Sequence, residues 1–89
     1  IKNKMAINTK DYRKIKKKLK NYYKKKKFKI KDSEETGSLK AISRKNFVWF
    51  RASKTEADIL RIITDSNNNK EAERLMEEAM NIINTFSKK

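Results

Sequence analysis

Three observations predict an α+β domain of two layers, in which two helices pack on one face of a four-stranded, mostly antiparallel sheet. Apolar residues recur at helical spacing in one segment near each end of the chain. Between these segments, short β-branched and aromatic runs alternate apolar and polar residues in the manner of strands. The chain has 89 residues and no proline, so one small domain with the element order β-α-β-β-β-α accounts for all of it.

The first strand and the first helix are predicted at the start of the chain. Residues 1–8 alternate weakly, which predicts a short strand with one buried face. Asn8 or Thr9 can cap a helix from about residue 9 to about residue 26, which is otherwise covered in lysine. The apolar stripe of this helix consists of Tyr12, Ile15, Leu19 and Tyr22.

Residues 27–38 are predicted to form a loop. They contain the only glycine of the chain, Gly37, next to a cluster of acidic residues, and both features favour irregular structure. Phe28 and Ile30 are the apolar residues of this segment. We expect them to contact the core.

A β-hairpin is predicted next. Residues 39–43 and 47–52 alternate as strands do, and Asn46 in the turn between them tolerates a positive φ at low cost. In the second strand Phe47 and Trp49 lie on one face. This face could serve a protein partner if it were exposed, but we expect it to be mostly buried.

The last strand and the last helix have the clearest patterns. Both faces of residues 59–64 carry apolar side chains, so this strand is predicted to be central in the sheet. Residues 65–69 offer several N-caps for the helix over residues 69–86, and among them Asn68 has Glu71 at the spacing of a capping box. The apolar stripe of this helix consists of Ala72, Leu75, Met76, Ala79, Ile82, Ile83 and Phe86.

The composition argues against several classes of function. The sequence has no Cys and no His, so it lacks the commonest metal ligand and the commonest general base. We therefore expect neither catalytic residues nor a metal site in this chain. No apolar run approaches the roughly 20 residues that a membrane-spanning helix needs, and no signal peptide is visible. We expect a cytoplasmic protein without a membrane partner.

The positive charge of the chain is concentrated in its first third. Residues 1–31 hold 15 Lys or Arg against one acid, Asp11, and so account for the whole net charge of +14. The Lys-rich helix 9–26 is compatible with a free-standing module that binds nucleic acid, which is the alternative function. We favour an ordinary solvated helix face and no nucleic-acid partner. In residues 1–31 Lys outnumbers Arg 14 to 1, although Arg is the better residue for recognising phosphates.

The connection after the hairpin carries the candidate site. Residues 51–57 read R-A-S-K-T-E-A and join two predicted strands. Arg51 supplies a planar fork of N–H donors, and Lys54 adds a point charge. Ser53 and Thr55 supply hydroxyls. A loop with many donors and few acceptors is suited to binding a phosphate group.

These residues resemble the pattern R-[PA]-S-[GN]-T-[ET]-P in the last domain of the α-D-phosphohexomutases, the family of phosphoglucomutases and phosphomannomutases. Five of the seven positions fit, whereas Lys54 and Ala57 depart from the pattern. The strand that follows, residues 59–65, resembles the family pattern L-R-[IVF]-x-x-[ED], and the order of the surrounding elements is similar. The resemblance implies a TATA-binding-protein-like fold.

The resemblance also implies roles for individual residues. The phosphate of a hexose phosphate, of glucose, mannose or glucosamine type, would be bound by Arg51, Ser53 and Thr55, with Lys54 as a further candidate ligand. Lys54 would contact this phosphate or point to solvent, and Glu56 would brace the loop. The phosphoserine and the Mg²⁺ that transfer phosphate between the 1- and 6-positions would belong to other domains of the same chain.

The resemblance therefore implies that residues 1–89 form one domain, the C-terminal phosphate-binding domain of a larger enzyme. That enzyme would be an intramolecular phosphotransferase of the isomerase class. The enzyme would act in carbohydrate metabolism, and its other domains would be the partners of the domain formed by residues 1–89. A start at Ile1 rather than Met agrees with such a fragment.

Overall fold

A computed structural model describes residues 1–6, 9–33, 38–52 and 59–87. These residues form an α+β fold with two helices and an antiparallel sheet, which confirms the predicted fold class. The elements are β1 (Lys2–Ala6), α1 (Thr9–Lys25), β2 (Lys29–Ser33), β3 (Ser38–Ser43), β4 (Asn46–Ala52), β5 (Ile59–Asp65) and α2 (Asn69–Ser87).

The described sheet has five strands in the order β1-β5-β4-β3-β2, whereas the sequence predicted four. The additional strand is β2, which lies within the segment predicted to be a loop. Its local pattern is weak because Ile30 is its one apolar residue, and Ile30 pairs with Ala41 of β3 and packs against the core. As predicted, β5 is paired on both sides, with β1 and with β4.

Both helices pack on the same face of the sheet. The helix α1 contacts β2 and β3, and α2 contacts β4 and β5. Alternate residues of the three inner strands are buried under the helices, as expected for a sheet with one covered face. These strand residues are Leu39, Ala41, Val48, Phe50, Leu60, Ile62 and Thr64. The face without helices, called the open face below, carries the residues that alternate with them.

The buried stripe of α1 differs from the prediction at one position. Three predicted residues are buried, but the fourth buried residue is Tyr23, and Tyr22 is only partly buried. Both positions satisfy helical spacing from Leu19, so periodicity does not distinguish them. Contacts within the core distinguish the two positions, because the Tyr23 ring packs against Phe28 and Phe50 with centroid distances of 5.2 and 6.0 Å. Phe28 contacts the core, as expected.

Two local predictions about turns and caps have different outcomes. The residue with positive φ in the β3–β4 turn is Arg44, at 55°, and not Asn46, which instead pairs with Ser43 within the hairpin. Of the candidate N-caps, Asn68 caps α2, because its Oδ1 accepts a hydrogen bond of 2.8 Å from the backbone N–H of Lys70. No helix in the described ranges is long and apolar enough to cross a membrane.

The apolar stripe of α2 agrees with the prediction. Five of its seven residues are buried, namely Ala72, Leu75, Met76, Ala79 and Ile83. The other two, Ile82 and Phe86, are partly buried and pack against the same core. The helix therefore covers β4 and β5 on the face opposite the open face.

Candidate functional site

The candidate phosphate site lies where β4 ends and β5 begins. These strands are antiparallel neighbours near the middle of the sheet, and Ala52 pairs with Leu60 just before the connection. Four of the predicted site residues, Ser53, Lys54, Thr55 and Glu56, lie outside the described residues. Of the predicted phosphate ligands, the structure therefore describes Arg51.

Arg51 is exposed on the open face, one residue before the end of β4. Its guanidinium carbon Cζ lies 4.7 Å from the centre of the Trp49 ring, two residues earlier on the same strand. This is a cation–π contact, and it restricts the conformations of a long side chain. The guanidinium has five N–H donors, and a contact with a ring does not use them all, so Arg51 can still bind an anion.

Arg61 of β5 lies directly opposite Arg51 in the β4–β5 register. Both side chains are exposed, and because paired residues of neighbouring strands share a face, both lie on the open face. Like charges in directly opposed positions repel each other, and an anion between them would offset the repulsion. Sequence reasoning did not identify Arg61 as a site residue, although the strand alternation placed it on the same face of β5 as Ile59 and Ile63.

A cleft of about 290 Å³ opens beside these two arginines. It is lined by Lys2, Asn3, Arg51, Arg61, Ile62 and Ile63. Three of these residues are cationic, and no carboxylate is among the described lining residues. Lys2 was not predicted as a site residue either. It belongs to the cleft because β1 pairs with β5, which puts Lys2 opposite Ile63.

A second cleft, of about 320 Å³, has the opposite electrostatic character. It lies along α2 beside Ile1, and its lining includes the carboxylates of Glu73 and Glu77. Two carboxylates would repel a phosphate dianion. Of these two clefts, the one between β1, β5 and β4 is therefore the better site for an anion.

The aromatic residues of the open face are neither buried nor fully exposed. Phe47 and Trp49 are both partly buried and neither is exposed, which agrees with the expectation that this face is mostly buried. The Nζ of Lys40 lies 4.4 Å from the centre of the Phe47 ring and 5.3 Å from that of Trp49. Because cations cover these rings, the surface is basic and aromatic rather than a simple apolar patch for a protein partner.

Part of the positive charge of the first third is neutralised within the fold. Lys16 and Lys20 both contact the carboxylate of Asp32, with Nζ–O distances of 2.5 and 3.5 Å. The hydrogen bond from Lys16 is the main cause of a pKa of Asp32 below its ordinary value. Lys26 contacts Glu78 at 2.5 Å, and this hydrogen bond raises the pKa of Lys26.

The remaining basic side chains of α1 give the Lys-rich helix its outer surface. Those that are exposed are Arg13, Lys14, Lys17, Lys18, Lys24 and Lys25. The Nζ of Lys18 also lies 5.5 Å from the centre of the Phe86 ring of α2. This surface belongs to the helical layer, whereas the cleft with Arg51 lies on the open face of the sheet.

The described residues contain no group of three or more His, Cys, Asp or Glu side chains that could hold a metal ion. The side chains that line the cleft instead offer N–H donors and positive charge, and such groups bind anions.

Comparisons of the chain with protein-family models, with curated proteins and with solved structures gave no match.

Proposed function

We propose that this chain is the substrate-phosphate-binding C-terminal domain of a phosphoglucomutase or phosphomannomutase. Such an enzyme interconverts hexose 1- and 6-phosphates. The observation that carries the proposal is the position of Arg51, which begins the R-A-S-K-T-E-A segment. Arg51 is exposed at the end of β4 and is held over Trp49 beside a cationic cleft.

The proposed binding mode combines a charged fork with neutral donors. Arg51 binds two phosphate oxygens through its guanidinium N–H groups, and the hydroxyls of Ser53 and Thr55 donate to the same group. Lys54 adds positive charge, and Glu56 braces the loop. Charge-assisted hydrogen bonds of this kind are roughly twice as strong as neutral ones, so Arg51 contributes most of the affinity.

The function of such a site is to hold substrate while other domains perform the chemistry. The phosphate bound here is the one that does not react, so its binding energy is remote from the reacting centre and positions the sugar. Phosphate transfer itself uses a phosphoserine and Mg²⁺ in other domains of the same cytoplasmic chain. Closure of this domain over the substrate would couple phosphate capture to exclusion of water.

The arrangement of the sheet supports the proposal. The candidate site connects β4 and β5, and the unpredicted strand β2 lies at the sheet edge beyond β3. One strand, β3, therefore lies between β2 and β4, and the cleft lies on the other side of β4, towards β1. The additional strand leaves the geometry at Arg51 intact.

The proposal is tested by titrating the ¹⁵N-labelled chain with glucose 6-phosphate and with mannose 1-phosphate. We expect localised amide shifts at Ser53–Glu56 at millimolar ligand. Arg51→Ala should weaken binding about 10- to 100-fold, because a hydrogen bond to a charged group contributes about 1.5–3 kcal/mol. Arg13→Ala is the matched control, since Arg13 is exposed on α1, and it should leave the affinity unchanged. Absence of localised shifts, or equal binding by Arg51→Ala, would contradict the proposal.

The exposed basic side chains of α1 favour a second candidate, a basic module that binds nucleic acid. This alternative predicts tight binding to single- or double-stranded DNA that weakens steeply with salt, because counterion release dominates. It also predicts that a triple Gln variant of Lys14, Lys17 and Lys18 loses that binding. The phosphohexomutase proposal predicts that the same variant binds glucose 6-phosphate as the unmodified chain does.

A further inference from the structure

We infer that the open face of the sheet binds single-stranded nucleic acid, with bases stacked on Trp49 and Phe47 and phosphates held by the surrounding basic side chains. This function goes beyond the proposed hexose-phosphate site and does not depend on it. It also differs from binding by the Lys-rich helix, because α1 packs on the other face of the sheet. The expectation of no nucleic-acid partner concerned that helix.

The open face is strongly basic. Its residues are identified by strand register, because paired residues of neighbouring strands share a face. The described side chains of this face include one acid, Asp65, which pairs with Phe47. The basic side chains described on it are Lys2, Lys29, Lys31, Lys40, Arg51 and Arg61. The face is therefore complementary in charge to a polyanion.

One row of paired residues crosses the whole open face and has an aromatic ring at its centre. Lys31 of β2 pairs with Lys40 of β3, which pairs with Trp49 of β4. Trp49 pairs with Ile63 of β5, and Ile63 pairs with Lys2 of β1. Neighbouring strands are about 4.8 Å apart, so the row is about 19 Å long. Lysines thus lie on both sides of the ring, where the phosphates before and after a stacked base would be.

The two rings of β4 are suited to stacking with bases. Phe47 and Trp49 are two positions apart on this strand, so they are neighbours on the open face. Both are partly buried, which holds the rings in place and leaves part of each accessible. Stacking is tolerant of sequence because every base has a π-face. We therefore expect binding with little preference for particular bases.

The cations nearest the rings are available to an anion. The Nζ of Lys40 lies over both rings, and the guanidinium of Arg51 lies over Trp49. Among the described residues, these two cations contact rings and not carboxylates. A cation–π contact at an exposed site is weak. Both long side chains can therefore turn to a phosphate and leave the ring face to a base.

The helical layer is less suited to the same ligand. It also has a lysine over a ring, Lys26 over Tyr22, but the carboxylate of Glu78 already contacts this lysine. Asp32 pairs with two further lysines of α1. The open face is therefore the better surface for a ligand that combines bases with phosphates.

The inference is tested by titrating the 89-residue chain with oligothymidylate of about 12 nucleotides, a length within the usual range of site sizes. Trp49 is the only tryptophan of the chain, and a base stacked on its ring quenches its fluorescence. We expect saturable quenching. An abasic oligonucleotide of the same length keeps the phosphates but lacks the bases. It should bind at least about tenfold more weakly and cause no quenching, because base stacking is lost.

Two triple variants distinguish the open face from α1. One replaces Lys29, Lys31 and Lys40 by Gln, and the other replaces Lys14, Lys17 and Lys18 by Gln. The two variants are matched because each removes three positive charges. At about 0.1 M salt the open-face variant should bind oligothymidylate about 10- to 100-fold more weakly, and the slope of log K against log salt should become shallower by about two. The α1 variant should retain both the quenching and the slope.

A ring variant tests stacking separately from charge. Phe47→Leu should weaken binding about tenfold, as loss of one base–ring contact does, and Trp49 still reports the binding. Phe86→Leu is the matched control, because Phe86 is a partly buried ring beside a lysine of the helical layer. It should bind oligothymidylate as the unmodified chain does.

Several outcomes would overturn the inference. These are the absence of saturable quenching, equal binding of the abasic oligonucleotide, and unchanged binding by Phe47→Leu. Loss of binding in the α1 triple variant alone would assign nucleic acid to the Lys-rich helix. A response of Trp49 to vesicles of phosphatidylserine and phosphatidylcholine, without a response to oligothymidylate, would assign the open face to an anionic membrane. None of these outcomes changes the result of the glucose 6-phosphate titration, so the proposed function stands or fails separately.

Discussion

The guanidinium of Arg51 lies over the indole ring of Trp49, with 4.7 Å between Cζ and the ring centre. This contact connects an aromatic residue of the open face to the proposed phosphate site. A cation–π contact at an exposed position contributes about 0.5–1 kcal/mol. Its effect on phosphate binding is to hold the Arg51 side chain close to its bound conformation, which lowers the entropic cost of binding.

The first prediction follows from this contact. Trp49→Leu should lower the affinity for glucose 6-phosphate about two- to fivefold, which is the ratio that corresponds to about 0.5–1 kcal/mol. Phe47→Leu is the matched control, because Phe47 is also half-buried on β4 but its ring contacts Lys40. Isothermal titration calorimetry on both variants measures the difference. Equal affinities in the two variants would show that Trp49 has no positioning role.

The second prediction concerns the hydrogen bond between β5 and α2. Thr64 is fully buried, and its hydroxyl donates to the backbone carbonyl of Ala72 over 2.8 Å. Thr64→Val keeps the shape of the side chain but loses this bond, so we expect the free energy of unfolding to fall by about 1 kcal/mol. Urea denaturation measures the change.

The chain provides a control for this variant. The hydroxyl of Thr85 also donates to a backbone carbonyl, that of Asn81 at 2.9 Å, but Thr85 is exposed on α2. Water can replace that bond, so Thr85→Val should change the free energy of unfolding by less than about 0.5 kcal/mol. A larger loss in Thr85→Val than in Thr64→Val would contradict the role assigned to the buried bond.

The third prediction concerns a buried hydroxyl. The Tyr23 hydroxyl has no hydrogen-bond partner within the described part of the chain, and the side chain is fully buried. Tyr23→Phe keeps the ring contacts with Phe28 and Phe50 and removes a desolvated polar group. We expect the variant to be more stable than the unmodified chain by about 1 kcal/mol in urea denaturation.

Tyr22→Phe is the control for Tyr23→Phe. Tyr22 is the preceding residue of α1 and is only partly buried, and its hydroxyl has a hydrogen-bond partner in the exposed Lys26. Its replacement should change stability by less than about 0.5 kcal/mol. A clear loss of stability in Tyr23→Phe would indicate that the Tyr23 hydroxyl does have a partner in solution.

The fourth prediction is a loss of stability at alkaline pH. Burial, with a smaller contribution from Asp32, raises the pKa of Tyr12 to about 12, and burial also raises the pKa of Tyr23. In the unfolded chain both phenols have a pKa of about 10. Above that pH the unfolded state loses protons that the folded state retains, so the free energy of unfolding falls as pH rises. The stabilisation is complete below about pH 10 and is lost through about pH 12.

Urea denaturation at several pH values between about 9 and 12 measures this dependence. The double variant with Tyr12→Phe and Tyr23→Phe should show a shallower decline than the unmodified chain, because its two buried rings cannot ionise. Identical declines in the two proteins would mean that other groups, such as the lysines, cause the alkaline loss of stability.

Most helices and strands could be predicted from the sequence because their signals are local. Five of the seven apolar residues predicted for α2 are buried, and the other two pack against the core. The strand β2 could not be predicted in this way. A single apolar residue, Ile30, gives no periodicity, and this strand depends on pairing with β3 and on contacts with the core.

The sequence by itself determined the type of chemistry available to this protein. It contains an arginine, two hydroxyls and a lysine within residues 51–55, and it lacks Cys and His. It also determined that Phe47, Trp49 and Arg51 share one face of a strand, because side chains alternate along β structure. These are local properties, and they do not depend on how the strands pair.

Only the tertiary structure decided which residues surround Arg51. Arg61 is ten positions further along the chain, and Lys2 lies on the first strand. Their approach to Arg51 depends on strand order and register, which are set by burial of the opposite face under the two helices. A shift of the register by one residue would move Arg61 to the covered face. Packing of the core therefore determines the geometry of the cationic cleft.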